Sequence, residues 1–99
     1  MLLTHRRHFL VTYDIADDKR RDRVFDTLRD HGDHAQFSVF FCDLNPAERA
    51  SLEGKLAGLI DHTKDQVLVV DLGKADHELS LTVDAIGRSY GPPARAMIV

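Results

Sequence analysis

The apolar run Phe9-Leu10-Val11-Thr12-Tyr13 ends on an acid, Asp14, and Lys19, Arg20, Arg21 and Arg23 follow shortly after it. A carboxylate so close to cations allows two chemistries. It can be a salt bridge beside a helix N-terminus. It can also be a metal ligand whose neighbouring arginines hold phosphate. One carboxylate makes a poor Mg2+ site alone, because this ion takes one or two carboxylates and completes its shell with water and phosphate oxygens. A second copy of the chain meeting the first across a two-fold axis beside Asp14 would supply the second acid. The paired acids would suit metal-assisted hydrolysis of a phosphodiester, with Arg20, Arg21 and Arg23 of each copy holding the nucleic-acid backbone.

Other chemistries find little support. Cys42 is the only cysteine, so an intrachain disulfide and a cysteine-based zinc site are both excluded. It lies in an apolar run with no basic neighbour to lower its pKa, which describes an inert buried thiol. There is no Gly-x-Ser-x-Gly elbow, and no phosphate-cradling glycine loop follows the first apolar run. His31 and His34 flank Gly32-Asp33 in a turn, a weak metal pattern that more often marks solvated histidines.

These residues need elements to place them. Residues 8–15 alternate as a strand, with Phe9, Val11 and Tyr13 on one face and Leu10, Thr12 and Asp14 on the other. Asp17 or Asp18 caps a helix over 18–31, in which Val24, Phe25 and Leu28 form the buried stripe and Gly32 a left-handed stop. Arg21 falls within that stripe. It either snorkels off the helix end or points across the strand end towards Asp14. Residues 34–42 alternate again, as one bent strand or a tight strand pair. Ala35, Phe37, Val39 and Phe41 form its apolar face, with Phe40 on the other. Asn45-Pro46-Ala47-Glu48 carries an N-cap, a proline at the first helical position and a capping-box spacing. The helix it opens runs to about residue 61, with Leu52, Leu56, Leu59 and Ile60 as its stripe. Residues 66–72 read as a strand apolar on both faces. Residues 78–84 read as a further half-buried strand, and 94–99 as a short terminal one.

At 99 residues the chain makes one domain, residues 1–99, with 78–99 as a C-terminal strand extension. Two one-sided helices can cover only one face of a small, mainly antiparallel sheet, which is an α+β architecture. The other sheet face then wants a cover. A sheet-to-sheet homodimer supplies it and suits so short a chain. A hydrophobic content of 43%, 29% charged residues and a net charge of −3 describe a soluble domain without a general affinity for polyanions. Any nucleic-acid contact must come from a local basic patch. The lone cysteine, the absence of a signal-peptide pattern and the shortness of the apolar runs lead us to expect a cytoplasmic protein that does not enter a membrane.

Three segments taken together resemble the Cas-two family of CRISPR-associated proteins. They are Val11-x-Tyr13-Asp14-Ile15-x-Asp17-Asp18-Lys19-Arg20-Arg21-x-Arg23-Val24-Phe25, then Gln36-Phe37-Ser38-Val39-Phe40, then Asp43-Leu44-Asn45-Pro46-Ala47-Glu48. The resemblance covers residues 9–60 in order. It implies a ferredoxin-like homodimer acting in spacer acquisition beside the integrase Cas-one. Two activities accompany the family: Mg2+-dependent endonuclease action on RNA or DNA, and a non-catalytic role bridging DNA between integrase dimers. Carried over by motif, Asp14 matches the metal-binding acid and Tyr13 its usual neighbour. Arg21 and Arg23 match basic positions linked to activity, and Ser38 and Phe40 match the Ser-Val-Phe element near the interface site. There are two departures. His34 stands where an arginine is common, and histidine is cationic only near or below a pKa of about 6.5. Phe41 stands where a glutamate often follows, which removes a possible extra acid.

Overall fold

The computed structural model describes residues 5–90. Strand β1 (Arg7–Asp14) leads into helix α1 (Asp18–Arg29). A hairpin of β2 (Asp33–Gln36) and β3 (Val39–Leu44) follows, then helix α2 (Pro46–Leu59) and strand β4 (Gln66–Lys74). The strands form one sheet in the order β2-β3-β1-β4 with every neighbour antiparallel, and both helices pack on one face of it. This is the expected ferredoxin-like α+β arrangement.

Local chemistry sets the helix starts. Asp17 accepts a hydrogen bond from the Arg20 backbone N–H at 2.9 Å, capping α1. Asn45 and Glu48 close a reciprocal capping box at 2.8 and 2.9 Å, with Pro46 at the first helical position. The core lies between the sheet and the helices. Val11, Val24, Leu28, Leu52 and Phe40 are almost entirely removed from water. Each such side chain contributes roughly 1.5–3 kcal/mol through burial.

Three expectations change, and one left open is decided. The 34–42 segment is a strand pair that turns at Phe37-Ser38, with a register irregularity between His34 and Gln36. Its faces are reversed: Phe40, Cys42 and Leu44 point into the core, while Val39 and Phe41 lie on the open face. Residues 78–84 form no strand. Leu79–Leu81 is a single 3-10 turn, and Leu81 is exposed, because alternation without a partner strand to bond with cannot build a ladder. The expected strand at 94–99 lies outside the described residues. Finally, Gly32 is not left-handed; among the described residues only Gly73 and Gly87 have positive φ.

Gly32 is required for a different reason. A Cβ there would come within 2.5 Å of both the Cys42 Sγ and the Phe41 carbonyl oxygen. Gly32→Ala is therefore expected to lower stability by about 1–3 kcal/mol, as overpacking does. Urea unfolding with an unchanged m-value would record this as a lower midpoint.

The open face is covered unevenly. Residues 79–90 cross its β2–β3 side, where the Tyr90 ring meets Phe41 at 5.5 Å, and Val83 and Ile86 share a cavity with Leu10 and Val39. The chain thus provides part of the cover that the sequence left to a second copy. Over β1 and β4 the face stays open, with Leu68 48% and Val70 43% exposed.

Candidate metal and nucleic-acid site

Asp14 is the last residue of β1, exposed and paired across the sheet with Gln66 at the start of β4. Its carboxylate accepts no hydrogen bond and makes no ion pair among the described residues. The acids around it are all engaged. Asp17 caps α1, Asp18 meets the Arg21 Nη1 at 2.7 Å, and Asp65 holds Arg20. Asp14 is thus an exposed carboxylate at this end of the sheet with no partner among the described residues.

Tyr13 points the other way. Alternation along β1 puts its ring on the helix side, 6% exposed and tilted against Phe40. Burial raises its phenol pKa, opposed by the Arg21 charge. The hydroxyl therefore stays protonated near neutral pH and cannot serve there as a general base.

The arginines divide. Arg20 is turned inward onto an acid. Its Nε and Nη2 fork onto Asp65 at 2.7 and 3.2 Å, so the edge of the guanidinium that a phosphate would use is occupied by a carboxylate. Arg21 folds back on its own helix start, donating to Asp18 and, through Nη2, to the Ile15 carbonyl at 3.0 Å. It neither buries itself nor reaches Asp14 by a hydrogen bond. Arg23 and Lys19 are exposed and carry no ion pair among the described residues, so of the cations at the start of α1 they are the two open to a polyanion.

The hairpin motif contributes through its backbone. The Ser38 carbonyl accepts a hydrogen bond from the Tyr13 N–H at 3.2 Å, which draws the Phe37-Ser38 turn against the end of β1. Phe37 stands at its tip, 93% exposed. Phe40 is 0% exposed, with its ring edge-on to Phe25 at 5.4 Å and 4.9 Å from the His34 ring. Water cannot reach it, so it packs the core and is not a substrate contact. No local pattern in the sequence marks Asp65, whose partner Arg20 lies 45 residues away.

The histidine turn does not assemble. His31 Nδ1 hydrogen-bonds the Thr27 carbonyl at 2.8 Å, and His34 lies against Phe25 and Phe40. Among the described residues no group of three or more His, Cys, Asp or Glu side chains could hold a metal. A cation at Asp14 would need ligands from outside this one chain. Cys42 is as inert as expected: burial, and then the Asp33 charge, push its thiol up to about 11. Alkylation by iodoacetamide at pH 8 is expected to fail on the native protein and go to completion in denaturant. Fast native labelling would show that the β3 core opens.

A match to the family described as CRISPR associated protein Cas2 spans residues 7–78. A Rhodospirillum rubrum protein named CRISPR-associated endoribonuclease Cas2 1 is 40% identical over 92 residues, covering 92% of this chain and 89% of its own length. The chain belongs to the Cas2 family. A Geobacter sulfurreducens relative, named CRISPR-associated endoribonuclease Cas2, is 32% identical and aligns over 92% of this chain and 95% of itself. Among solved structures, Streptococcus pyogenes Cas2 superposes with a TM-score of 0.70 at 32% identity, covering 81% of this chain and 99% of that one. The family segment takes in β1 to β4 and stops at residue 78, just before the stretch that crosses the open face. No helix among the described residues is long and apolar enough to cross a membrane.

Proposed function

We propose that two copies of this chain form a Mg2+-dependent endonuclease that cleaves RNA or DNA in CRISPR spacer acquisition, beside the integrase Cas1. The observation that carries this reading is the open Asp14 carboxylate at a strand end, beside acids that cap α1 or pair with its arginines. One such acid per copy fits half of a Mg2+ site, and two related by symmetry fit the ion's demand for carboxylates with room for water and phosphate oxygens. Bound Mg2+ would activate water and offset the charge that develops on the phosphate.

The chain's own residues do the rest. Asp14 contributes the ligand oxygens. Arg23 and Lys19 attract the backbone, and Arg21 adds positive charge at the first turn of α1. Leu68 and Val70, with the rest of the open β1–β4 face, offer apolar surface for the second copy to bury. Tyr13 and Phe40 act from the core side by fixing the strand on which Asp14 sits. The relatives' names, endoribonuclease, agree with hydrolysis of a nucleic acid.

A second reading is a DNA-bridging subunit without chemistry. It is favoured by the engagement of Arg20 and Arg21 in internal ion pairs and by Phe41, which offers no further acid. Single-stranded RNA, single-stranded DNA and duplex DNA should be incubated with the purified protein in Mg2+ and, separately, in EDTA. Cleavage that EDTA removes supports the nuclease. Cleavage indifferent to EDTA rejects the metal, and intact substrates throughout leave the bridging role.

A further inference from the structure

We infer that Asp65 and Arg20 together form the positioning pair that holds Asp14 in place for its cation, an inference that rests on the reading of Asp14 as a metal-binding acid. The side chain of Asp65 is 0% exposed. A carboxylate taken wholly out of water loses hydration, and it is tolerated only where charge and hydrogen bonds replace what water gave. Here they do. Asp65 accepts from Arg20 Nε at 2.7 Å and Nη2 at 3.2 Å, from the Ala16 N–H at 2.9 Å and from the Asp61 N–H at 2.8 Å. The Arg20 guanidinium first, and then the two amides, hold its carboxyl well below the usual carboxylate range.

The placement of these bonds points beyond fold stability. Ala16 lies two residues after Asp14, and Gln66, the neighbour of Asp65, is the residue that pairs with Asp14 across the sheet. Asp65 therefore holds the chain just past the end of β1, through the Ala16 N–H, and it immediately precedes Gln66, the first residue of β4 and the cross-strand partner of the acid. Arg20 ties the first turn of α1 to the same point. The Ile15 carbonyl is held in turn by Arg21 at 3.0 Å, so polar groups on both sides of the Ile15–Ala16 linkage are fixed by side chains. A ligand carboxylate must be held to a fraction of an ångström, and groups that orient ligands are worth about 10- to 100-fold in metal affinity. A bidentate Arg–carboxylate fork is the ion pair with the geometric definition to do this.

The test compares wild type with Asp65→Asn, Arg20→Gln, the double variant and Asp14→Asn, all full-length and at a temperature where circular dichroism shows each folded. Mn2+ binding is followed by water-proton relaxation, and cleavage of one oligonucleotide gives kcat and KM. Asp65→Asn keeps an acceptor for the amides but loses the charge. It is expected to bind Mn2+ about tenfold more weakly and to lower kcat at any fixed sub-saturating Mg2+, with KM for the oligonucleotide within about twofold. Arg20→Gln should do the same, and the double variant should be little worse than either, because the two side chains act as one unit. A role in stability alone would lower the melting temperature and leave Mn2+ affinity untouched, and that result overturns the inference. Should Asp65→Asn fail to fold, Arg20→Gln with unchanged Mn2+ affinity overturns it equally. Identical Mn2+ binding by wild type and Asp14→Asn would instead reject Asp14 as a ligand, and the positioning role would fall with it.

Discussion

Asp14→Asn is expected to lower Mg2+-dependent cleavage by about 100- to 1,000-fold while leaving the protein folded. A bound cation contributes several kcal/mol of transition-state stabilisation, and each 1.36 kcal/mol is tenfold in rate. The amide keeps the shape of the carboxylate and loses the charge that holds the cation. Its effect on stability should stay within about 0.5 kcal/mol, because the side chain is exposed and makes no ion pair among the described residues. In the proposed dimer the sign of the assembly effect also follows. Two like charges that face each other across an axis repel, so the neutral variant should associate as tightly as wild type or more so. Sedimentation equilibrium in EDTA measures this beside the cleavage assay. Full cleavage by a rigorously purified variant would reject the mechanism. A variant that dissociates would show instead that Asp14 bonds across the interface.

Much of the scaffold was legible because short-range chemistry decides it. The Asn45–Glu48 capping box, the Asp17 cap and the stripe of Val24, Phe25 and Leu28 need only their own neighbours to be read. The hairpin was misread because alternation gives two sets of residues without saying which set meets the helices. Counting through 34–42 as one run favoured Ala35, Phe37, Val39 and Phe41. The chain turns at Phe37-Ser38, with neither glycine nor proline to announce it. Counted afresh from Val39, one set is Phe40, Cys42 and Leu44, apolar throughout, and the other ends on Asp43. Only the first can face a dry core. The basic cluster was legible in the same limited way. Its spacing placed the arginines near Asp14, but Arg20 is taken by an acid beyond α2, and no local pattern carries that pairing. The alternation of Leu79, Leu81 and Val83 failed for want of a partner strand, since a fifth strand needs an edge to bond to as well as a pattern.

Phe40 separates a motif read as a site from a motif read as a core. Phe40→Ala is expected to cost about 3–5 kcal/mol, the range for deleting a buried aromatic ring, against a total stability for a domain of this size of about 5–15 kcal/mol. The ring is fully buried, edge-on to Phe25 and tilted against Tyr13, on a strand position paired with Val11. Its loss leaves a cavity beneath β1, the strand that carries Asp14. Urea unfolding should show a large fall in midpoint, and activity should fall with the folded fraction. Phe40→Leu decides the cause. Leucine refills much of the volume at a cost of about 1–2 kcal/mol but offers no aromatic face. If Phe40 packs the core, leucine restores stability and cleavage together. If the ring contacts a nucleobase, alanine and leucine both raise KM while the midpoint hardly moves, and the burial argument fails. The structure commits to the first outcome, because a ring with no surface open to water has none to offer a base.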